Sequence, residues 1–341
     1  MEKIKIEALN VENAPAIHGL TFRRYRGSED HPALIDLYNA IYEYANIPER
    51  ETPEEFDVRY ANLRNCNLFE DMILAEANSE VIASGRIWWA KETDSGAYIY
   101  EVANNTHPDW QQSGVMEAIQ GWLEKRAHQI AATHPAEAEK TFETWVSESE
   151  PVKLEMLRAG EYFEERYFFD MQRDLNQPIP EAVMPEGLEV RPVKPEHYRL
   201  IWDASDEAFR DHWGHIESTE EDYQRFLKRV EGMDALNPDL WMVGWEGDQV
   251  AGMVLNKIFA KENAMMGTKI GWTDPISVRR PWRKRGLATA LILKSLKLLK
   301  ELGMDTAALG VDTINPSGAL QLYEKCGYKS TQKWITFRKN F

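Results

Sequence analysis

Cysteine is almost absent: Cys66 and Cys326 are the only two in 341 residues, one in each half of the chain. A disulfide framework is therefore not expected, and a reducing, cytoplasmic setting is. With two lone thiols and scattered histidines no metal-ligand spacing arises, so no metal is expected either. The chain also lacks an apolar stretch of membrane length, and its opening residues MEKIKIEALNVENAP carry no signal-peptide pattern, so neither a membrane partner nor a leader is expected. Positive charge is in deficit, with 40 Lys and Arg against 56 Asp and Glu, a formal net charge of -16. Nucleic-acid binding without sequence preference runs on neutralising phosphates, and this composition argues against it.

What cationic charge there is lies unevenly. Residues 1–187 carry 17 Lys and Arg against 35 Asp and Glu, and residues 188–341 carry 23 against 21, so the halves stand near -18 and +2. Five of the cations, Arg279, Arg280, Arg283, Lys284 and Arg285, fall within seven residues, directly after the apolar strand end at Ile276–Val278. The run from Gly286 to Leu302 then repeats apolar residues at three and four and stops at Gly303, which predicts a helix beginning at the Gly286 turn. The first N–H groups of such a helix lack intrahelical acceptors, and with the positive end of the dipole they form a site for an anion. Two other phosphate-binding patterns fail here. G-x-x-x-x-G-K-[ST] and G-x-G-x-x-G each need more than the single glycine this turn contains.

Arg283-x-x-Gly286-x-Ala288 at the start of a helix resembles the pyrophosphate loop, (Q/R)-x-x-G-x-(G/A), of the GCN5-related N-acetyltransferases (GNAT). A second segment strengthens the resemblance. After a short apolar strand at 306–311, Asn315, Tyr323, Gly327 and Tyr328 are similar in spacing to the family's N-x-x-(A/G)-x-x-x-x-Y-x-x-x-G-(F/Y). Asn315-Pro316-Ser317 reads as the start of a helix of about three turns that Gly327 terminates.

At 341 residues two domains are natural, and the proline-rich stretch 176–187 reads as a linker. The sequence on its two sides can be superimposed at an offset near 170. Leu20–Arg24 matches 188–192, the hairpin 72–82 matches 242–251, and Pro108-Asp-Trp110-Gln111-Gln-Ser-Gly114-Val115 matches Arg280-Pro-Trp282-Arg283-Lys-Arg-Gly286-Leu287. The expected fold is α/β (α+β), two tandem GNAT folds, each a mixed, mostly antiparallel twisted sheet flanked by helices. The expected divisions are 1–175, a degenerate GNAT-like domain, and 188–341, the domain with the acetyl-CoA site. That architecture is similar to mycothiol synthase, although no residue identifies that enzyme's substrate. The first copy keeps Gln111 and Gly114 but has no cation in the turn, with Met116 where a small residue is wanted and Met156 in place of Tyr323. It is expected to bind CoA weakly or not at all.

The resemblance implies an N-acetyltransferase that uses acetyl-CoA as co-substrate and no metal, acting as monomer or homodimer on a primary amine of a small molecule or peptide. It further implies that Ile276 and Val278 offer backbone groups to the pantetheine arm. Arg283, Lys284, Arg285, Gly286, Leu287 and Ala288 would surround the pyrophosphate, with Asn315 contacting the cofactor or capping its helix. Tyr323 is the candidate acid, since a phenol with a pKa near ~10 is protonated at neutral pH and can donate to a departing thiolate. Its other reading is a packed helix tyrosine. Asp274, two residues before Ile276, is the candidate base or else a turn aspartate in Trp-Thr-Asp-Pro. Asp211, His212 and Trp213 are candidate acceptor contacts, with a helix-end and core role as the alternative. A non-catalytic acyl-CoA-binding or sensing module, and transfer from another acyl-CoA or to another acceptor, stay open.

Overall fold

The architecture follows from two parallel β–α–β crossovers, each built into an otherwise antiparallel sheet. The computed structural model describes residues 8–315 and 317–341. Pro316, expected at the first position of a helix, lies outside them. The chain divides into two compact units: the residues up to Arg166 together with Trp334–Phe341, and Tyr167–Lys333.

The first unit runs β1 (Leu20–Arg24), α1 (His31–Tyr44), α2 (Pro53–Tyr60), α3 (Leu68–Asp71), β2 (Met72–Ala77), β3 (Glu80–Lys91), β4 (Tyr98–Thr106), α4 (Val115–Ala131), β5 (Lys140–Ser147) and α5 (Pro151–Ala159). Strands β1 to β4 pair antiparallel in sequence order, and β4 pairs parallel with β5 after the α4 crossover. Helix α1 presents Leu34, Ile35, Leu37, Tyr38 and Ile41 to Met72 and Leu74 of the sheet, the three-and-four spacing of a helix with one buried face.

After α5 comes β6 (Phe163–Asp174), whose residues from Tyr167 belong to the second unit. There follow β7 (Glu189–Val190), α6 (Tyr198–Phe209), α7 (Glu220–Gly232), β8 (Met242–Glu246), β9 (Gln249–Val254), α8 (Ala260–Met266), β10 (Ile270–Trp272), β11 (Ile276–Val278), α9 (Leu287–Glu301), β12 (Thr306–Asp312), α10 (Ala319–Lys325) and β13 (Lys329–Asn340). Strands β7, β8, β9 and β11 pair antiparallel, and β10 pairs parallel with β12 after the α9 crossover. Helix α9 buries Leu287, Leu291, Leu296 and Leu299 at 1% exposure or less, each contributing about 1.5–3 kcal/mol as apolar burial. It can sit this close because the strands beneath it carry glycine. A Cβ on Gly271 would fall 2.5 Å from Leu299 Cδ2, and one on Gly244 3.1 Å from Leu287 Cδ1.

The expected tandem arrangement is present, with one feature that the sequence match concealed. The antiparallel neighbour of β5 in the first unit is Trp334–Asn340, the end of β13, while residues 168–174 of β6 pair with β12 in the second. The units therefore do not divide at 176–187, a stretch that has no helix or strand. Among the described residues no helix is long and apolar enough to cross a membrane, and Cys66 and Cys326 are both free thiols.

Candidate active site

Residues 279–286 connect β11 to α9, and Gly286 is the N-cap of α9 in the left-handed region, φ 88° and ψ 1°. The first amide of this helix to find an intrachain acceptor is that of Ala290, which donates to the Gly286 carbonyl at 3.1 Å. Among the described residues no acceptor is present for the six backbone N–H groups of 284–289. Together with the positive end of the helix dipole they make a site for an anion, and a Cβ built on Gly286 has nothing within 4 Å. The arginines serve a different purpose from the amides. Arg283 donates to Val278 O at 2.9 Å, Ala208 O at 3.0 Å and Asp211 Oδ2 at 2.7 Å. Arg280 also holds Asp211, Arg279 pairs with Glu207 at 2.6 Å, and Arg285 pairs with Glu246 at 3.1 Å. Four of the five cations thus brace the loop against α6 and the β8–β9 turn. Lys284 is exposed and, among the described residues, makes no ion pair.

The equivalent turn of the first unit ends on a glycine of the same conformation but differs ahead of it, since Gln111 is helical (φ -60°, ψ -29°) where Arg283 is extended (φ -65°, ψ 156°). Gly114 caps α4 with φ 84° and ψ -2°. Ser113 Oγ accepts from Val115 N–H at 3.3 Å, and Pro15 lies 3.5 Å from the position of a Gly114 Cβ. Ser113 N–H also donates to Trp110 O at 3.1 Å, so two amides are satisfied internally, and the N-terminal segment lies over the glycine.

In each unit the parallel pair of strands then diverges. In the second, β10–β12 pairing ends at Trp272↔Ala308, and Thr273 N–H donating to Ala308 O at 2.8 Å is the last rung. Beyond it β11 pairs only with β9 and β12 only with β6. On the β9 side Pro275 O accepts from Leu255 N–H and Arg279 N–H donates to Ala251 O. Strand alternation therefore turns the N–H and C=O groups of Ile276 and Val278 toward the gap.

Asp274 stands at the break between β10 and β11, with Lys257 Nζ 3.0 Å from its Oδ1. This is an ion pair whose angle falls short of a hydrogen bond. Tyr323, on α10, is 7% exposed. Burial, and then the charge of Asp274, push its phenol well above the ordinary tyrosine value. Gly327 (φ 91°) ends α10, with Tyr328 N–H donating to Tyr323 O at 3.1 Å. Any side chain at Gly327 would collide with Arg173, whose guanidinium donates to the carbonyls of Cys326 and, at 2.9 Å, Pro178.

Asn315 corrects the expected helix start. Its Oδ1 accepts from Ser317 N–H at 2.8 Å and its carbonyl from Gly318 N–H at 3.1 Å, which closes a turn. Gly318 (φ 73°) then caps a helix of seven residues, so α10 has two turns and begins at Ala319. Of the expected acceptor contacts, Asp211 is taken by Arg280 and Arg283, which hold its carboxyl far below the usual range. His212 stacks on Phe209 at 4.4 Å. Burial keeps its imidazole's pKa below normal, with Asp312 at the end of β12 acting against that shift. Trp213 packs near Phe168 at 6.2 Å.

Sequence reading missed a cavity of about 180 Å³ lined by Trp202, Ser205, Asp206, Phe209, His215, Ile216 and Ser218. The first four recur at three, four and seven along α6, a spacing that could have been read as one helix face. Among the described residues no cluster of His, Cys, Asp or Glu is arranged to hold a metal ion.

Residues 198–328 match the family model "Acetyltransferase (GNAT) family". The match covers less than half of the chain. The chain is 29% identical over 175 residues to a mycothiol acetyltransferase of Thermobispora bispora, a match spanning 51% of this chain and 57% of that one. A mycothiol acetyltransferase of Salinispora tropica is 27% identical over 234 residues, 68% of this chain and 70% of the other. The chain thus spans little more than half the length of several curated relatives that it matches. Among solved structures, a GCN5-related N-acetyltransferase from Sphaerobacter thermophilus superimposes with TM-score 0.73 and 25% identity, over 95% of this chain and 96% of that one. A tandem GNAT protein from the clavulanic acid biosynthesis pathway shares the fold with TM-score 0.68 and 14% identity, over 94% and 98%. The tandem GNAT fold accordingly spans nearly the whole chain.

Proposed function

We propose that the protein is an N-acetyltransferase that takes the acetyl group from acetyl-CoA and gives it to a primary amine, with one working cofactor site in its second unit. The observation that carries this reading is the set of six unpaired amides at 284–289, beside a strand gap whose open edge offers the backbone of Ile276 and Val278. A pyrophosphate fits the first and an extended amide-bearing arm the second. The family match of residues 198–328 and the similarity to mycothiol acetyltransferases support the reaction class.

In the proposed reaction the amine nitrogen, once neutral, attacks the thioester carbonyl directly. A backbone N–H on the β11 edge stabilises the oxyanion. The C–S bond breaks, and the Tyr323 phenol protonates the departing thiolate. Asp274 accepts the proton that the substrate ammonium loses. Lys257 Nζ, 3.0 Å from Oδ1, holds that carboxylate in place. The arginines keep the loop in place, and the backbone amides bind. The first unit, with its turn covered by Pro15 and one amide taken by Ser113, is assigned a structural role without CoA. Release of free CoA with a panel of amines, in wild type and Tyr323→Phe, tests the scheme. Full activity of the variant would remove the tyrosine as acid.

A further inference from the structure

We infer that the cavity beside α6 holds a cationic group of the acceptor other than the nitrogen that is acetylated, so that favoured acceptors are amines carrying a second positive charge. The inference rests on the acetyltransferase reading only in calling this ligand the acceptor.

Trp202, Ser205, Asp206 and Phe209 form one wall, and His215, Ile216 and Ser218 the other. The volume, about 180 Å³, accommodates an alkylammonium arm and is far too small for a nucleotide. Among the described residues, Asp206 is the only carboxylate in the lining. Its side chain is 18% exposed, and Arg210 and His215 both stand outside hydrogen-bond range of it. Arg210 Nη2 is 3.7 Å from Oδ2 and is itself 62% exposed, and His215 Nε2 is 3.7 Å from Oδ1. No lysine or arginine lines the cavity. A carboxylate flanked by the rings of Trp202 and Phe209 combines ion pairing with aromatic faces, and together these select an ammonium over a neutral or anionic group. Ser205 and Ser218 supply hydroxyl oxygens for its remaining N–H groups. Phe209 on the cavity wall has its ring 4.4 Å from that of His212, and α6, which carries that wall, also receives Arg283 of the β11–α9 turn at Ala208 O (3.0 Å), so the cavity lies along the helix that braces the turn. An acceptor could therefore lodge one nitrogen at Asp206 and reach toward the thioester with the other.

The test is calorimetric titration of the CoA-saturated protein with 1,5-diaminopentane, pentylamine and 5-aminopentan-1-ol, in wild type, Asp206→Asn and Phe209→Leu. The diamine is expected to bind about tenfold tighter than either monocation. That advantage should vanish in Asp206→Asn and shrink in Phe209→Leu, while unchanged acetyl-CoA affinity shows that both variants remain folded. Equal binding of the three amines, an amino-alcohol as tight as the diamine, or a preference that survives Asp206→Asn would each overturn the inference. Failure of the acetyltransferase reading shows separately, as no CoA release with any amine while the diamine preference persists.

Discussion

A glutamate at Gly286 separates binding by backbone amides from binding by arginine side chains. The glycine has φ 88° and ψ 1°, and a Cβ there meets no atom within 4 Å, so Gly286→Glu clashes with nothing and costs only the left-handed backbone. That strain is about 1–2 kcal/mol. The new carboxylate would sit at the mouth of the amide site. At ~5 Å from a phosphate charge it is repelled by roughly 1 kcal/mol if the surroundings behave as water, or about 3 kcal/mol at an effective dielectric near ~20. Acetyl-CoA affinity should therefore fall by a factor of roughly 5 to 200. The chain contains its own control. Gly114 has φ 84° and ψ -2°, so Gly114→Glu incurs the same strain at the counterpart turn. Calorimetry should show wild-type CoA affinity and one site per chain for Gly114→Glu, with similar losses of melting temperature in both variants. Equal affinity losses in the two, or none in Gly286→Glu, would refute the assignment.

Further outcomes follow from the same geometry. Tyr323→Phe should lower kcat by about 10²–10⁴ with KM little changed; a change confined to KM would place the tyrosine in substrate binding. Arg283→Lys forfeits a guanidinium fork that reaches Val278 O, Ala208 O and Asp211, and should cost about 1–3 kcal/mol by denaturant unfolding. Unaltered stability would mean that the brace is not needed. In the first unit, burial and the neighbouring Glu101 and Glu92 push the Glu143 carboxyl to about 7 against the pull of Arg338. The folded pKa lies above the unfolded one, near ~4.3, so the folded state binds more protons in that window and stability declines as pH rises toward 7. Glu143→Gln should flatten that decline in thermal melts, and an identical profile would contradict the burial argument.

Periodicity located α9 and its glycine start to within a residue, because a helix buried on one face declares itself through leucines at three and four. Tyr323 and Asp274 were likewise legible as candidate positions, but the strand gap at Asp274 was not. It depends on the divergence of β11 and β12, which no local pattern encodes. The arginines were misleading for a related reason. Five cations beside a helix N-terminus read as a phosphate cluster, whereas Glu207, Asp211 and Glu246, which hold four of them, lie tens of residues away in sequence. The exchange of β6 and β13 was invisible, since both are twelve-residue strands and nothing in either specifies which sheet it joins. At Asn315 the helix start was misplaced because a turn closed by an Asn side chain resembles a cap.

The central claim, that backbone amides of one turn in the second unit hold the cofactor, is tested most directly by amide NMR shifts on titration with acetyl-CoA. The account predicts that Lys284–Thr289 move while Gln112–Met116 stay in place. Shifts at the first-unit turn, or an unmoved 284–289, would contradict it.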